Sequence, residues 1–336
     1  MNTIGSLLNQ AGCQFRIYEM GRLVSPIDSR VFDDFEHTKC AYPAAVQSHA
    51  RFAVAFWTKD NREQPFIWML QFPLDEQSFL VSQARDKFLA LASAALNAPS
   101  NEMPENPYVF KPVPEKLAYL NSRLKRDLNL NYSTYLEPTQ AYFKDQSSPD
   151  TWQSLAMQGI ADYVTQLDRE DNSDVLAQRI ASLNPGLLRP LLALLEHQTI
   201  DAKLAQVLLK QHQLCLNSQV EDASLWLRAT ASCQHSKIRH KQLEKQISTH
   251  IDEQSAIDIA GRLWQDLEQP ALLNDFLIAV AKLENARLFR ELFVDLAAIP
   301  SLRSFVLVHL RVPPSDPNLS QAISQLLSPE NIQHDS

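Results

Sequence analysis

Asp75 and Glu76 are adjacent carboxylates at the end of the apolar run Phe66-Ile67-Trp68-Met69-Leu70-Gln71-Phe72, which leads into them through Pro73-Leu74. Two carboxylates against an apolar wall can hold protons with different affinities, and so divide acid and base work or ligate a metal. A second group of chemistry-bearing residues lies far downstream. Cys233 and His235 precede Lys237, Arg239, His240, Lys241 and Lys245. Metal ligation by Cys and His needs repeated short pairs, and Cys233-Gln234-His235 is a single one. The basic run from Lys237 to Lys245 could contact phosphate or an acidic partner, against the plainer reading of a solvated helix face.

Nucleophile motifs are missing. The chain has no G-x-S-x-G or H-E-x-x-H pattern, and none of its cysteines lies in a glycine-rich catalytic context. It contains only 6 glycines in 336 residues, where average usage would give about twenty. Folds that cradle phosphate with glycine-rich loops are therefore disfavoured, and neither dinucleotide nor P-loop fingerprints occur. No catalytic residue, cofactor or metal site is expected.

The elements that must position Asp75 and Glu76 supply a competing reading. Pro73 ends a strand, Asp75 takes the N-cap of a helix starting at Glu76, and Glu76 suits the positive end of that helix. Leu74 and Phe79 then occupy the positions of a hydrophobic staple. This capping reading outweighs the catalytic one. Trp68, with Phe56, Trp57 and Phe72, could line a cofactor cavity, but strand-borne aromatics facing helices are more often core.

The net charge of −8 and pI near 5.6 disfavour nucleic acid and anionic lipid as partners. Cys13, Cys40, Cys215 and Cys233 are widely spaced and read as free thiols in a reducing compartment. The first residues lack a basic segment followed by a sustained apolar one, and no run approaches the roughly twenty apolar residues that span a bilayer. Cytoplasmic location is the expectation.

In chain order, the periodicity predicts a helix over 3–11 followed by Gly12, and a strand over 14–19. A second helix is predicted over 26–37, capped by Ser25 with Pro26 at its first position. Residues 52–57 and 66–72 read as a β-hairpin covered on both faces, because both runs are continuously apolar. Helical spacing spans 76–96, Tyr108-Val109-Phe110 reads as a last strand, and 114–128 as a further helix. Beyond Ser148 no strand signal remains. Helix starts are predicted at Ser148-Pro149, near Ser173, at Asn184-Pro185, Asp201, Ser218, Ser236, Asp252, Gln269-Pro270, Asn285, Pro300 and Asp316, with a capping box over Ser218–Glu221. After Asn184 these starts recur about every 33 residues per helix pair, the range of helical solenoids. The tetratricopeptide signature is missing, so a HEAT-like or irregular α-solenoid is expected. The predicted organisation is a small α+β domain over 1–130, with a short mostly antiparallel sheet and flanking helices. A linker over 131–148, an all-α helical repeat-like array over 149–328 and a disordered tail over 329–336 follow it.

Phe15-Arg16-Ile17-Tyr18-Glu19-Met20-Gly21, Ile67-Trp68 and Phe72-Pro73-Leu74-Asp75-Glu76-Gln77 carry a resemblance. On them the chain resembles an uncharacterised gammaproteobacterial protein family, a domain of unknown function. The resemblance implies a bacterial protein and assigns no catalytic residue, cofactor or partner. The leading expectation is a non-enzymatic scaffold with a protein partner. The alternatives are an enzyme using the acidic residues at the 72–77 junction, and nucleic-acid contact through the basic face 237–245. Trp68, Asp75, Glu76, Lys237, Arg239 and Lys241 are the candidate residues for a surface or junction role.

Overall fold

The computed structural model describes residues 3–97, 106–144, 149–218, 223–233, 236–249 and 251–328. The capping box over Ser218–Glu221 and the tail over 329–336 fall wholly or largely outside them. The chain divides into two compact units, Met1–Leu130 with Ala298–Pro300, and Asn131–Ala297 with Ser301–Ser336.

The first unit is α+β. Helix α1 (Ile4–Gln10) is capped by Thr3, and Gly12 follows it at φ +69, the left-handed conformation that glycine adopts without steric cost. Strands β1 (Gln14–Glu19), β2 (Ser25–Ile27), β3 (His49–Trp57) and β4 (Phe66–Pro73) form one antiparallel sheet in the order β2-β1-β3-β4. Ile17 pairs with Val54, and Val54 with Trp68. Side chains alternate across the sheet. Ile17, Phe52, Val54, Leu70 and Phe72 join a core with Phe32, Phe35 and Phe88 from α2 (Ser29–Glu36) and α3 (Ser82–Asn97). On the opposite face, Tyr18 donates to Asp127 of α4 (Pro114–Asp127) at 2.9 Å. Ala53 and Ala55 are fully buried, consistent with cover on both faces.

Three expectations are corrected in this unit. Ser25-Pro26 does not open a helix; Ser25–Ile27 pairs with Ile17–Glu19 as an edge strand, and α2 starts after Asp28, whose carboxylate accepts from Arg30 N–H. A proline fits this edge because it has no donor to offer the sheet. Asp75 does not cap a helix beginning at Glu76. Its Oδ1 accepts from Gln77 N–H at 2.9 Å and Phe79 N–H at 2.8 Å, but Ser78 lies at φ +64, which closes a turn, and α3 begins only at Ser82. In place of a staple, Leu74 forms an isolated antiparallel bridge with Leu80. Tyr108–Phe110 is a single bridge to Leu70 along the β4 edge, not a full strand.

The second unit is helical. Its helices are α5 (Leu136–Lys144), α6 (Met157–Val164), α7 (Asn172–Arg179), α8 (Pro185–Leu195), α9 (Ala202–Asn217), α10 (Ala223–Arg228), α11 (Ser236–Thr249), α12 (Glu253–Arg262), α13 (Pro270–Ala281), α14 (Ala286–Ala297), α15 (Pro300–Arg311) and α16 (Pro317–Leu326). Asn184, Asp201, Asp252 and Asp316 each accept backbone N–H bonds in the first turn of the helix they precede. The span 131–148 is not simply a linker, since α5 lies within it and buries Thr139, Tyr142 and Phe143. Pro149–Ser154 form a 3₁₀ turn, and the α-helix starts only at Met157.

The packing order reveals the architecture. Helices α5, α7, α9, α11 and α13 each pack on the next in that series, as do α6, α8, α10, α12, α14 and α16. Two rows of helices result, with each pair stacking on the pair before it, as in helical repeat arrays. Polar links recur at the same interval: Arg228–Glu196 and Asn285–Glu253 are each 32 residues apart, and Ser224–Asp258 and His212–Gln246 are each 34.

Candidate functional site

The basic segment forms one wall of a groove in the second unit. On α11, Lys237 and Lys241 are exposed and one helical turn apart, whereas Arg239 is turned inward and buried. Arg239 Nε donates to Asp266 Oδ2 at 2.8 Å, and its Nη1 donates to the carbonyls of Thr230 and Ala231 at 2.5 and 3.0 Å. A buried guanidinium with a carboxylate and two carbonyls around it has its charge answered internally. The notion of a continuous basic face over 237–245 is therefore corrected: Arg239 supports the fold, and Lys245 donates to Gln213 at 2.8 Å.

Facing α11 are Gln265 and Asp266, which precede α13, and Gln269, which stands at its N-cap. With Cys233, these residues enclose a cleft of about 560 Å³. Its two acids are held differently. Asp266 holds Arg239, and Glu244 Oε1 lies 3.4 Å from His240 Nε2. The donors are differently placed. Among the described residues Lys237 and Lys241 make no ion pair, and the side-chain amides of Gln265 and Gln269 make no hydrogen bond. His240 is half-buried, with a buried Nδ1 that has no hydrogen-bond partner. Helix α13 also starts without a side-chain cap, so its first-turn N–H groups are left to solvent or to a ligand.

A second cleft of about 590 Å³ continues along the same two helices, and Glu244 lines both. Its lining is mixed: Ile247 of α11 and Ile278, Ala279 and Leu283 toward the end of α13 stand beside Glu244, Asp275 and Lys282. The N-terminal half of α11 and the N-cap of α13 thus share one cleft, and the C-terminal halves of both helices the other, so the helices run in the same direction. Both helix N-termini, with their positive dipole ends, lie at the lysine end.

The remaining candidates lie in the first unit. Trp68 packs against Phe56 and Phe88, with ring centroids 4.5 and 5.5 Å away, and is part of the core margin. Asp75 is engaged in its turn and Glu76 is exposed beside it. These three belong to the first unit, and Lys237, Arg239 and Lys241 to the second.

Buried acids that the sequence reading passed over are found in both units. Glu19 accepts from the N–H groups of Gly21, Arg22 and Leu23 at 2.5, 3.0 and 2.9 Å, while Lys116 donates to the carbonyls of Met20, Gly21 and Arg22. Burial pushes the Glu19 carboxyl up, against the pull of Lys116 and the three N–H groups. Glu36 accepts from Ile4 and Gly5 N–H at 2.6 and 3.2 Å and caps α1. Burial raises its carboxyl to about 7. In the second unit, burial pushes Glu196 up, but His197 and the guanidinium groups of Arg262 and Arg228 outweigh it and hold the carboxyl below its usual range. All three acids are fully engaged by their surroundings, which makes them structural. Among the described residues no group of three or more His, Cys, Asp or Glu side chains is placed to hold a metal ion. None of the described helices is long and apolar enough to cross a membrane.

Comparison with known proteins adds one match: residues 1–327 fit a family described as a protein of unknown function, DUF3549. The chain belongs to that family. No curated protein and no solved structure matches. The DUF3549 match spans both the sheet-containing unit and the helical array, so the two are parts of one family unit.

Proposed function

We propose that this chain is a non-enzymatic scaffold that holds a protein partner along its helical array, in the cytoplasm of a bacterium. The observation that carries the reading is the groove between α11 and α13. It offers the exposed Lys237 and Lys241 at one end and a mixed lining of Ile278, Leu283, Asp275 and Lys282 at the other, within an array whose repeating rows present extended surface. Within it Asp266 is committed to Arg239.

Affinity isolation of the intact chain under gentle conditions tests this. A partner recovered in stoichiometric amount is the expected result, and failure to recover one across several growth conditions would count against the scaffold reading. Nucleic-acid contact through Lys237 and Lys241 is the competing reading. It requires binding that weakens steeply with added salt, and the inward turn of Arg239 reduces the cations available for it.

A further inference from the structure

We propose that the exposed surface shared by α9 and α11 seats a short acidic segment of the partner, its carboxylates against Lys210, Lys237, Lys241 and Lys245. This deepens the scaffold reading and rests on it.

The two helices are neighbours in one row, and Lys245 Nζ of α11 donates to Gln213 Oε1 of α9 at 2.8 Å. Gln213 stands one turn from Lys210, and Lys237, Lys241 and Lys245 follow one another at helical intervals, so this bond brings both sets onto one face. All four lysines are exposed, and among the described residues none makes an ion pair. Helix α9 contains no acid, and Glu244 is the one acid of α11. Glu244 lies on the groove side of its helix, 3.4 Å from His240 Nε2. At the opposite border Asp174 is 2.6 Å from Lys203, and Asp201 caps α9.

Like charges four residues apart weaken a helix, and in a chain of net charge −8 this face is a local reversal of sign. A solvated helix face ordinarily mixes both signs. Carboxylates supplied from outside relieve the repulsion and complement the face. Its extent limits what fits. Lys237 to Lys245 spans about 12 Å at 1.5 Å per residue, and adjacent helices lie about 8–10 Å apart. A run of about four extended residues covers that distance. A polynucleotide laid across the row carries its phosphates further, toward the exposed Asp275 of α13 on one side and Asp174 of α7 on the other, and is repelled there. A short acidic run ends before it reaches them.

The test is selection from a random twelve-residue peptide library displayed on phage, against the intact protein and its K210E/K241E variant. Both lysines are exposed and make no ion pair among the described residues, so the circular dichroism melt of the variant should match the wild type. K210Q/K241Q replaces it if the reversed charges disturb the fold. The expected winners on the wild type carry clustered Asp and Glu. A fluorescein-labelled synthetic winner should bind K210E/K241E at least tenfold more weakly, and should recover on that variant when its acids are changed to Lys. Enrichment of no peptide, of peptides without clustered acids, or of peptides that bind the variant equally well overturns the proposal. A labelled oligothymidylate that binds more tightly than the winner, and loses that affinity in K210E/K241E, overturns it in favour of nucleic acid. A stoichiometric protein partner still retained by K210E/K241E would leave the scaffold reading standing and remove only the assignment of this face.

Discussion

Arg228 Nε donates to Glu196 Oε2 at 2.6 Å, joining α10 to the end of α8 across 32 residues of sequence. Arg262 Nε reaches the other oxygen of the same carboxylate at 2.9 Å, and Arg228 Nη1 continues to Asp258 at 3.0 Å. One row of the array is thus linked through a chain of buried charges at successive repeats.

Removing one member should leave an uncompensated charge. R228M is expected to destabilise the protein by about 3–5 kcal/mol, the range for breaking a buried ion pair. Urea unfolding followed by circular dichroism measures this, and a loss below about 0.5 kcal/mol would show that the network is replaceable by packing. The carboxyl of Glu196 is held low in the fold, so its contribution is present above the unfolded value and is lost as pH falls through the folded one.

Glu36 should act in the opposite direction. Its carboxyl rises from 4.5 to about 7 in the fold, so the folded state holds its proton more tightly than the unfolded chain does. The stability this gives is fully present below pH 4.5 and lost as pH rises toward 7, a change of about 3 kcal/mol. E36Q should therefore gain on the wild type across that window. Parallel unfolding curves for the two proteins from pH 4.5 to 7.5 would contradict the assignment.

His212 gives a third pH signature. Burial lowers its imidazole from 6.5 to about 4, and its Nε2 lies 3.0 Å from Gln246 Oε1. The fold holds it neutral, so its contribution is intact above pH 6.5 and falls away as pH drops toward 4, by about 3 kcal/mol. H212Q should flatten this acid limb. Ring-proton chemical shifts in an NMR titration would check the same point, and an unshifted midpoint near 6.5 would exclude it.

Gly159 permits the approach of α6 to the start of α5. A Cβ at this position would lie 2.5 Å from both the Tyr135 carbonyl oxygen and Thr139 Oγ1. G159A should destabilise by about 1–3 kcal/mol, as overpacking does, and the thermal melting temperature reads it directly. An unchanged melt would mean that the contact can widen freely.

Much of this architecture is legible from caps and periodicity. Asn184, Asp201, Asp252 and Asp316 announce their helices because a short polar side chain beside a free N–H is a local arrangement, decided within four residues. The repeat interval is legible for the same reason. The misread places are those where distant pairing decides. Ser25-Pro26 has the local form of a helix start, but β1 takes it as an edge strand. Asp75 accepts from Gln77 N–H as a cap would, but its second bond goes to Phe79 N–H, and Ser78 in the left-handed region prevents a helix from opening there. The groove was half visible: α11 shows its basic residues, but Gln265, Gln269 and Ile278 come from a neighbouring repeat, and no local pattern marks them as its other wall.

Stacking in two rows also governs how the array yields under load. Each helix shares most of its same-row contact with the members immediately before and after it, so strain at one joint is passed on only step by step. A segment laid across α11 and α13 would act as a splint on that single joint. The neighbouring joints would keep their own compliance, and the array could stiffen at the point of capture while still bending on either side of it.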